Sequence, residues 1–252
     1  MKKLSIALIL ILIPLCAFAS YDVTVRTGGN FDFQDGKTSI DAKNSGKLSG
    51  VNFGSYGLGF DAAMELDLTS SFMFYAEVSM TLPLQVTIGK EITRDDVAAD
   101  LKEAKEKDTD YKNHSDKTYF NTFSAHFGFA HRFDLKLGPW ELIAGAGVGL
   151  RRTNVGYTLV KTDDDFKPYY YADLKTVTDL SVGLYGNFSY NITARLSATF
   201  TAIPEVGFFT IARQDKYEKQ DESGVKDAKP AESSGFAFSY GFKASIGVSY
   251  TF

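Results

Sequence analysis

The sequence predicts an all-β protein, an eight-stranded antiparallel up-and-down transmembrane β-barrel with four long loops at its outer end. Three observations lead to this fold. Apolar and polar residues alternate over long segments, which is the pattern of a strand with two different faces. Beyond the N-terminus, no stretch approaches the 18 unbroken apolar residues of a membrane-spanning helix. Long and short connections alternate between the segments, so all short turns lie at one end.

The last strand, residues 235–252, shows the alternation most clearly. All nine even positions from Phe236 to Phe252 are apolar or aromatic, and all odd positions, including Lys243, are small or polar. A strand of a soluble protein has about 5–6 residues, whereas a tilted strand crosses a bilayer in about 9–11 residues. The length and pattern of this segment therefore indicate a membrane-spanning strand.

The chain begins with the features of a secretory signal peptide, which we expect to be cleaved after Ala19. A basic start is followed by an apolar core and a small-x-small cleavage site. The predicted organisation is a signal peptide at 1–19 and a barrel at 20–252. Lipid attachment at Cys16, the only cysteine, is the alternative, but Leu15 stands where lipoprotein signals have a small residue. After cleavage no thiol chemistry is left.

Eight predicted strands follow the signal peptide. They cover residues 21–33, 50–68, 72–88, 118–133, 140–153, 176–190, 195–209 and 235–252. The clearest hairpin joins the second and third strands, and the apolar face of the third continues at even positions to Ile88. Pro204 predicts a bulge in the seventh strand. Gly145, Gly147 and Gly149 lack the spacing of a nucleotide-binding loop, so we expect them to leave room in a narrow lumen.

The long connections are polar and charged. In residues 89–117, Asp95 or Asp96 is predicted to cap a short helix with Val97, Leu101 and Ala104 at helical spacing. We expect a solvated loop with a frayed helix here, with a partner-binding helix as the alternative. The acidic run at 163–165 does not have the spacing of a calcium loop.

The apolar faces are expected to point outward and the strands to close into a ring. In lipid, every unpaired backbone group costs several kcal/mol, so no strand edge is left open. Eight strands cannot enclose so many large aromatic side chains, which therefore belong on the outside. Aromatic residues cluster near the strand ends, as in the interfacial girdles of membrane barrels. A net charge of −4 gives no indication of nucleic-acid binding.

The C-terminal residues Ser245, Gly247, Tyr250 and Phe252 match the pattern polar–x–Gly–x–x–aromatic–x–aromatic that ends bacterial outer-membrane barrels. The chain thus resembles the small eight-stranded barrels, such as the transmembrane domain of outer membrane protein A, the opacity-type surface proteins and outer membrane protein W. The resemblance implies a monomer in the cell outer membrane, in contact with its lipid. It also implies delivery by periplasmic chaperones and recognition of the last strand by the barrel-insertion machinery.

Catalysis is not expected from the three histidines. A barrel that modifies or cleaves lipids needs a histidine with a serine or carboxylate at its outer rim. His114 falls in the charged loop, His126 points into the middle of the lumen, and His131 faces outward at the periplasmic end. The sequence predicts no enzyme activity, no metal and no cofactor.

Four charged residues, Arg26, Asp61, Glu77 and Lys243, fall on the inward face of their strands at similar depth. Unpaired charges in a confined space are costly, so they are predicted to form an ion-pair cluster across the bore. Two functions remain open. The first is a non-enzymatic surface barrel that supports membrane integrity or meets partners through its loops. The alternative is a narrow channel for small or hydrophobic molecules, gated by this cluster.

Overall fold

The computed structural model describes residues 22–38, 52–107, 114–133, 135–161, 169–217 and 231–252. The predicted signal peptide and the acidic run at 163–165 lie outside these residues. In chain order, the elements are β1 (Val23–Thr38), β2 (Asn52–Asp67), β3 (Phe72–Ile88), β4 (Lys90–Ile92), α1 (Arg94–Lys107), β5 (His114–Phe133), β6 (Trp140–Lys161), β7 (Tyr169–Asn191), β8 (Leu196–Tyr217) and β9 (Ala231–Thr251).

Eight long strands close into a barrel. Each pairs antiparallel with two neighbours, in the order β2-β1-β9-β8-β7-β6-β5-β3, and pairing of β2 with β3 completes the ring. The three-residue strand β4 is an addition that pairs with the end of β3. The predicted eight-stranded antiparallel barrel is therefore confirmed. We call the end with the short connections the turn end and the opposite end the loop end.

The wall has an apolar outside and a polar inside, as the alternation predicts. On β9, Phe242, Ile246 and Phe252 are exposed, whereas Ser239 and Lys243 are buried in the lumen. Large aromatic side chains ring the outside of the turn end (Phe72, Phe133, Trp140, Tyr190, Tyr250 and Phe252). The ring of Trp140 stacks on Phe188 with centroids 4.8 Å apart. An apolar outer surface bordered by aromatics is the surface of a transmembrane barrel.

The strands extend further at the loop end than predicted. Residues 154–175 were expected to form a loop, but β6 continues to Lys161 and β7 begins at Tyr169. Likewise β8 reaches Tyr217 and β9 begins at Ala231. The 23 residues of β7 rise about 58 Å at about 3.3 Å per residue and a tilt of about 40°. Because the apolar band of such barrels is about 25 Å tall, these hairpins project well beyond the membrane.

Two bulges change which residues face the lumen. Leu84 is the extra residue between the pairs Tyr56–Gln85 and Gly57–Pro83. It reverses the parity of β3, so Val86 and Ile88, predicted to face outward, lie inside the barrel. The predicted bulge at Pro204 is wrong, because Pro204 stays in register with Phe242; the bulge in β8 lies between Gly207 and Phe209.

The segment after β4 forms a 14-residue helix, as the helical spacing of Val97, Leu101 and Ala104 predicts, and this helix is packed against the barrel rather than frayed in a solvated loop. Its N-cap is Thr93, whose hydroxyl oxygen accepts the N–H of Asp96 at 3.3 Å, so neither predicted aspartate is the cap. In return the Asp96 carboxylate accepts the backbone N–H of Thr93 at 2.7 Å, which lowers the pKa of Asp96. Val97, Leu101 and Ala104 are buried, so the apolar face of the helix packs against the barrel. No helix in the described residues is long and apolar enough to cross a membrane.

Candidate functional site

Three of the four predicted lumen residues form one contact group, which we call the lower cluster: Arg26, Glu77 and Lys243. The carboxylate of Glu77 lies between the two cations, pairing with the guanidinium of Arg26 and with Nζ of Lys243 at 2.5 Å. All three side chains are about 1% exposed. They come from β1, β3 and β9, so the cluster ties non-adjacent parts of the wall together across the bore.

The fourth predicted residue, Asp61, is 3% exposed but stands apart from this group. It occupies the cross-strand row Gly28–Asp61–Ser79, one inward position further up than the row of Arg26 and Glu77. Neither carboxylate oxygen of Asp61 accepts a hydrogen bond from the described residues. Its charge acts on Arg26 only through space.

An aromatic pair fills the bore beside the lower cluster. The rings of Tyr75 and Tyr185 stack with centroids 4.0 Å apart, and the guanidinium of Arg26 lies 5.9 Å from the Tyr185 centroid. Tyr75 Oη lies 3.1 Å from Nδ1 of His126, which is buried as predicted. A Cβ added at Gly147 would lie 2.5 Å from Tyr75 Oη. Gly147 therefore leaves room for the side chain of Tyr75, which reaches across the lumen from β3.

A second group of buried charges, the upper cluster, was not predicted: Arg151, Asp32, Glu205 and Asp179. Arg151 lies 2.6 Å from Asp32 and 3.9 Å from Glu205. Asp179 accepts hydrogen bonds from Gln34, Thr210 and Ser239 at 2.6–2.9 Å. The alternation of β1 and β6 does place Asp32 and Arg151 inward. Their meeting depends on the stagger between distant strands, which the sequence does not display.

Two apolar layers pack in the lumen, one above the upper cluster and one beside the lower cluster. The outer layer, at the loop end, comprises Phe53, Val86, Ile88, Ile92, Val97, Phe120, Val155, Val177, Ala212 and Ala237. It includes Val97 of α1, so the helix is part of the closure. The space between this layer and Gln34 and Thr153 is too narrow to hold a water molecule. The inner layer, toward the turn end, comprises Met73, Tyr75, Ala130, Ile143, Tyr185 and Ile203.

The residues of the predicted insertion signal lie on both faces of β9. Tyr250 and Phe252 point outward, with ring centroids 5.0 Å apart, and Ser245 faces the lumen. Gly247 pairs with Gly28, and a Cβ there would clash with the carbonyl oxygen of Thr27. Tyr250 and Phe252 are therefore exposed next to each other on the outer face of the barrel wall, at the C-terminal end of β9.

The sequence matches no protein-family model and no curated protein. Among solved structures, the chain is similar to a major outer membrane protein from Thermus thermophilus, with 14% identity and a TM-score of 0.44, covering 90% of this chain and 99% of that one. It is similar to the outer membrane protease OmpT from Escherichia coli, with 10% identity and a TM-score of 0.43, covering 92% and 96%. A third is Neisserial surface protein A, with 10% identity, a TM-score of 0.39, and coverage of 93% and 98%.

The architecture rests on the strand pairing and on the two faces of the wall. Every long strand has a partner on both sides, large apolar side chains are exposed along the outside of the wall, and charged and polar side chains are buried in the bore. Only a lipid surrounding is compatible with such an outside, and only a closed ring satisfies the backbone there. The chain is an eight-stranded transmembrane β-barrel of the outer-membrane type.

Proposed function

We propose that this protein is a non-enzymatic barrel of the bacterial outer membrane that works through its outer surface. The observation that carries the proposal is the closed lumen: two apolar layers and two ion-pair clusters fill the bore between the loop end and a cavity at the turn end. A barrel that offers solutes no path through its lumen acts through the residues exposed on its outer surface. The hairpins β6–β7 and β8–β9 stand above the apolar band at the loop end and offer that surface.

The absence of catalysis is part of this proposal. His126 is 1% exposed and lies between the two apolar layers, so substrate does not reach it. His131 faces outward at the turn end, away from the projecting hairpins. Among the described residues, no group of three or more histidine, cysteine or acidic side chains has the geometry to hold a metal ion. These observations favour a binding or structural role.

The orientation and the role are tested in two steps. A peptide epitope inserted after Glu103 of α1 is expected to be reachable by antibody on intact cells, and one inserted at Thr193 in the turn after β7 is not. Bacteria displaying the barrel are then compared with bacteria displaying a variant whose residues 157–174 are replaced by a two-residue turn. Loss of attachment to an epithelial monolayer, with heat-modifiable gel migration retained, supports a surface-interaction role.

Two outcomes would count against adhesion. Unchanged attachment with increased dye entry in cells lacking the barrel would indicate a role in membrane integrity. Solute flux through the purified barrel would favour the alternative, a narrow channel gated by the lower cluster.

A further inference from the structure

The outer face of the wall carries a group of polar side chains at the place where its apolar surface ends near the loop end. Arg152 of β6 is exposed and points outward, because its chain neighbours Arg151 and Thr153 are buried in the lumen. On the same face, Leu150 lies below it and Phe123 beside it in the cross-strand row, and both are exposed and apolar. Arg152 therefore stands at the upper border of the lipid-facing surface.

The position of Arg152 along β6 places it at the level of lipid headgroups. It lies twelve residues beyond Trp140, the girdle residue at which β6 begins. That distance corresponds to about 30 Å along the barrel axis, at about 3.3 Å per residue and a tilt of about 40°. Because the apolar band is about 25 Å tall, Arg152 lies in the outer interface when Trp140 lies in the opposite one.

Three polar neighbours orient the guanidinium of Arg152. Its Nε donates to Oδ1 of Asn154 at 3.1 Å. The same oxygen accepts the hydroxyl of Thr176 at 3.2 Å, and Nδ2 of Asn154 donates to Oδ1 of Asn121 at 3.0 Å. Within the described part of the chain, no carboxylate pairs with Arg152 and only Nε is engaged. The network thus fixes the side chain to β5, β6 and β7 and leaves both terminal nitrogens for a ligand.

A second cation borders this network. Arg213 of β8 is exposed and lies in the cross-strand row of Asn154 and Thr176. Neighbouring strands are about 4.8 Å apart, so the backbone of Arg213 is about 10 Å from that of Asn154. Two arginine side chains at this spacing are able to contact one headgroup. We call these residues the wall patch: Asn121, Arg152, Asn154, Thr176 and Arg213.

We propose that the wall patch binds the phosphate of an anionic lipid headgroup. A guanidinium presents a planar fork of donors that matches two phosphate oxygens, and such charge-assisted hydrogen bonds are stronger than neutral ones. A zwitterionic headgroup fits less well, because its own ammonium group already balances its phosphate. The site is independent of what the projecting hairpins bind, and in the orientation proposed above its lipid belongs to the outer leaflet.

Native mass spectrometry of the folded barrel, released from non-ionic detergent micelles, tests this site by counting bound lipid. The probe is dioleoyl phosphatidic acid, and the comparison is dioleoyl phosphatidylcholine. Wild type is expected to bind one phosphatidic acid about tenfold more tightly than phosphatidylcholine, and Arg152→Gln is expected to remove this preference. The matched control is Lys37→Gln on the far side of the ring, where Lys37 is exposed beside the exposed Phe238. It makes the same charge change and is expected to bind as wild type does.

Three results would overturn the proposal. The first is equal binding of the two lipids by wild type. The second is an effect of Lys37→Gln as large as that of Arg152→Gln, because the attraction would then be general to the protein's charge; no effect of Arg152→Gln overturns it likewise. The third is displacement of the lipid by inorganic phosphate in about hundredfold excess, which would assign the patch to free phosphate.

Discussion

Replacing Glu77 with alanine tests whether the lower cluster holds the barrel wall together. The substitution leaves Arg26 and Lys243, both about 1% exposed, without the carboxylate that lies between them. Removing one partner of a buried ion pair costs about 3–5 kcal/mol. Because two cations lose their partner at once, we expect a loss in the free energy of unfolding at the upper end of that range.

Urea unfolding in lipid vesicles measures this loss, followed by the fluorescence of Trp140, the only tryptophan. The matched control is Glu106→Ala, whose partner Lys102 lies 3.9 Å away on the surface of α1. It is expected to change stability by less than about 0.5 kcal/mol. Adding Lys243→Met to Glu77→Ala removes one unpaired cation and is expected to restore at least about 1 kcal/mol. An unchanged unfolding midpoint for Glu77→Ala would show that water satisfies these cations and that the cluster does not stabilise the wall.

Three further predictions concern separate parts of the chain. The pKa of Asp96 is lowered in the folded helix, so its capping contribution is complete above the ordinary value of 3.8 and is lost as the pH falls through the lower folded value. Protection factors of the α1 amides, corrected for the intrinsic exchange rate at each pH, should therefore fall in acid, and the same fall in Asp96→Asn would contradict this. Gly147→Ala is expected to cost about 1–3 kcal/mol because its Cβ would meet both the Phe127 carbonyl oxygen of the neighbouring strand and Tyr75 Oη, whereas the atom nearest to a Cβ at Gly186 is 3.7 Å away, so Gly186→Ala should be neutral. Equal unfolding midpoints for the two variants would refute the close packing at Gly147. Leu101→Asp should release α1 to proteolysis while the barrel stays heat-modifiable, and a resistant helix would show that its buried face does not hold it.

The two faces of the barrel wall could be predicted from the sequence, because apolar and polar residues alternate with a period of two along each strand. Along β9, nothing but the alternation is needed to place Phe242 in lipid and Lys243 in the lumen. The same pattern failed at Val86 and Ile88. Beyond the membrane, an apolar side chain can lie on either face of a strand. The alternation of apolar residues therefore continues through the bulge at Leu84 and does not reveal it.

The contents of the lumen were only partly readable. Parity identified Arg26, Glu77 and Lys243 as inward, and they are in contact. The alternation also places Arg151 and Asp32 inward. Their contact, however, joins strands β6 and β1, which lie on different sides of the ring. Such a contact depends on strand tilt and stagger, which the geometry of closure sets. The projecting hairpins were missed because strands outside lipid do not need one apolar face.

Conductance in a planar lipid bilayer tests the closed lumen most directly. Purified wild-type barrel, inserted in folded form and verified by heat-modifiable migration, is expected to give no stable conductance steps, because the outer apolar layer and both charged clusters fill the bore. Regular conductance steps from the wild-type protein would show an open path through the lumen and would contradict a barrel that acts only by its surface.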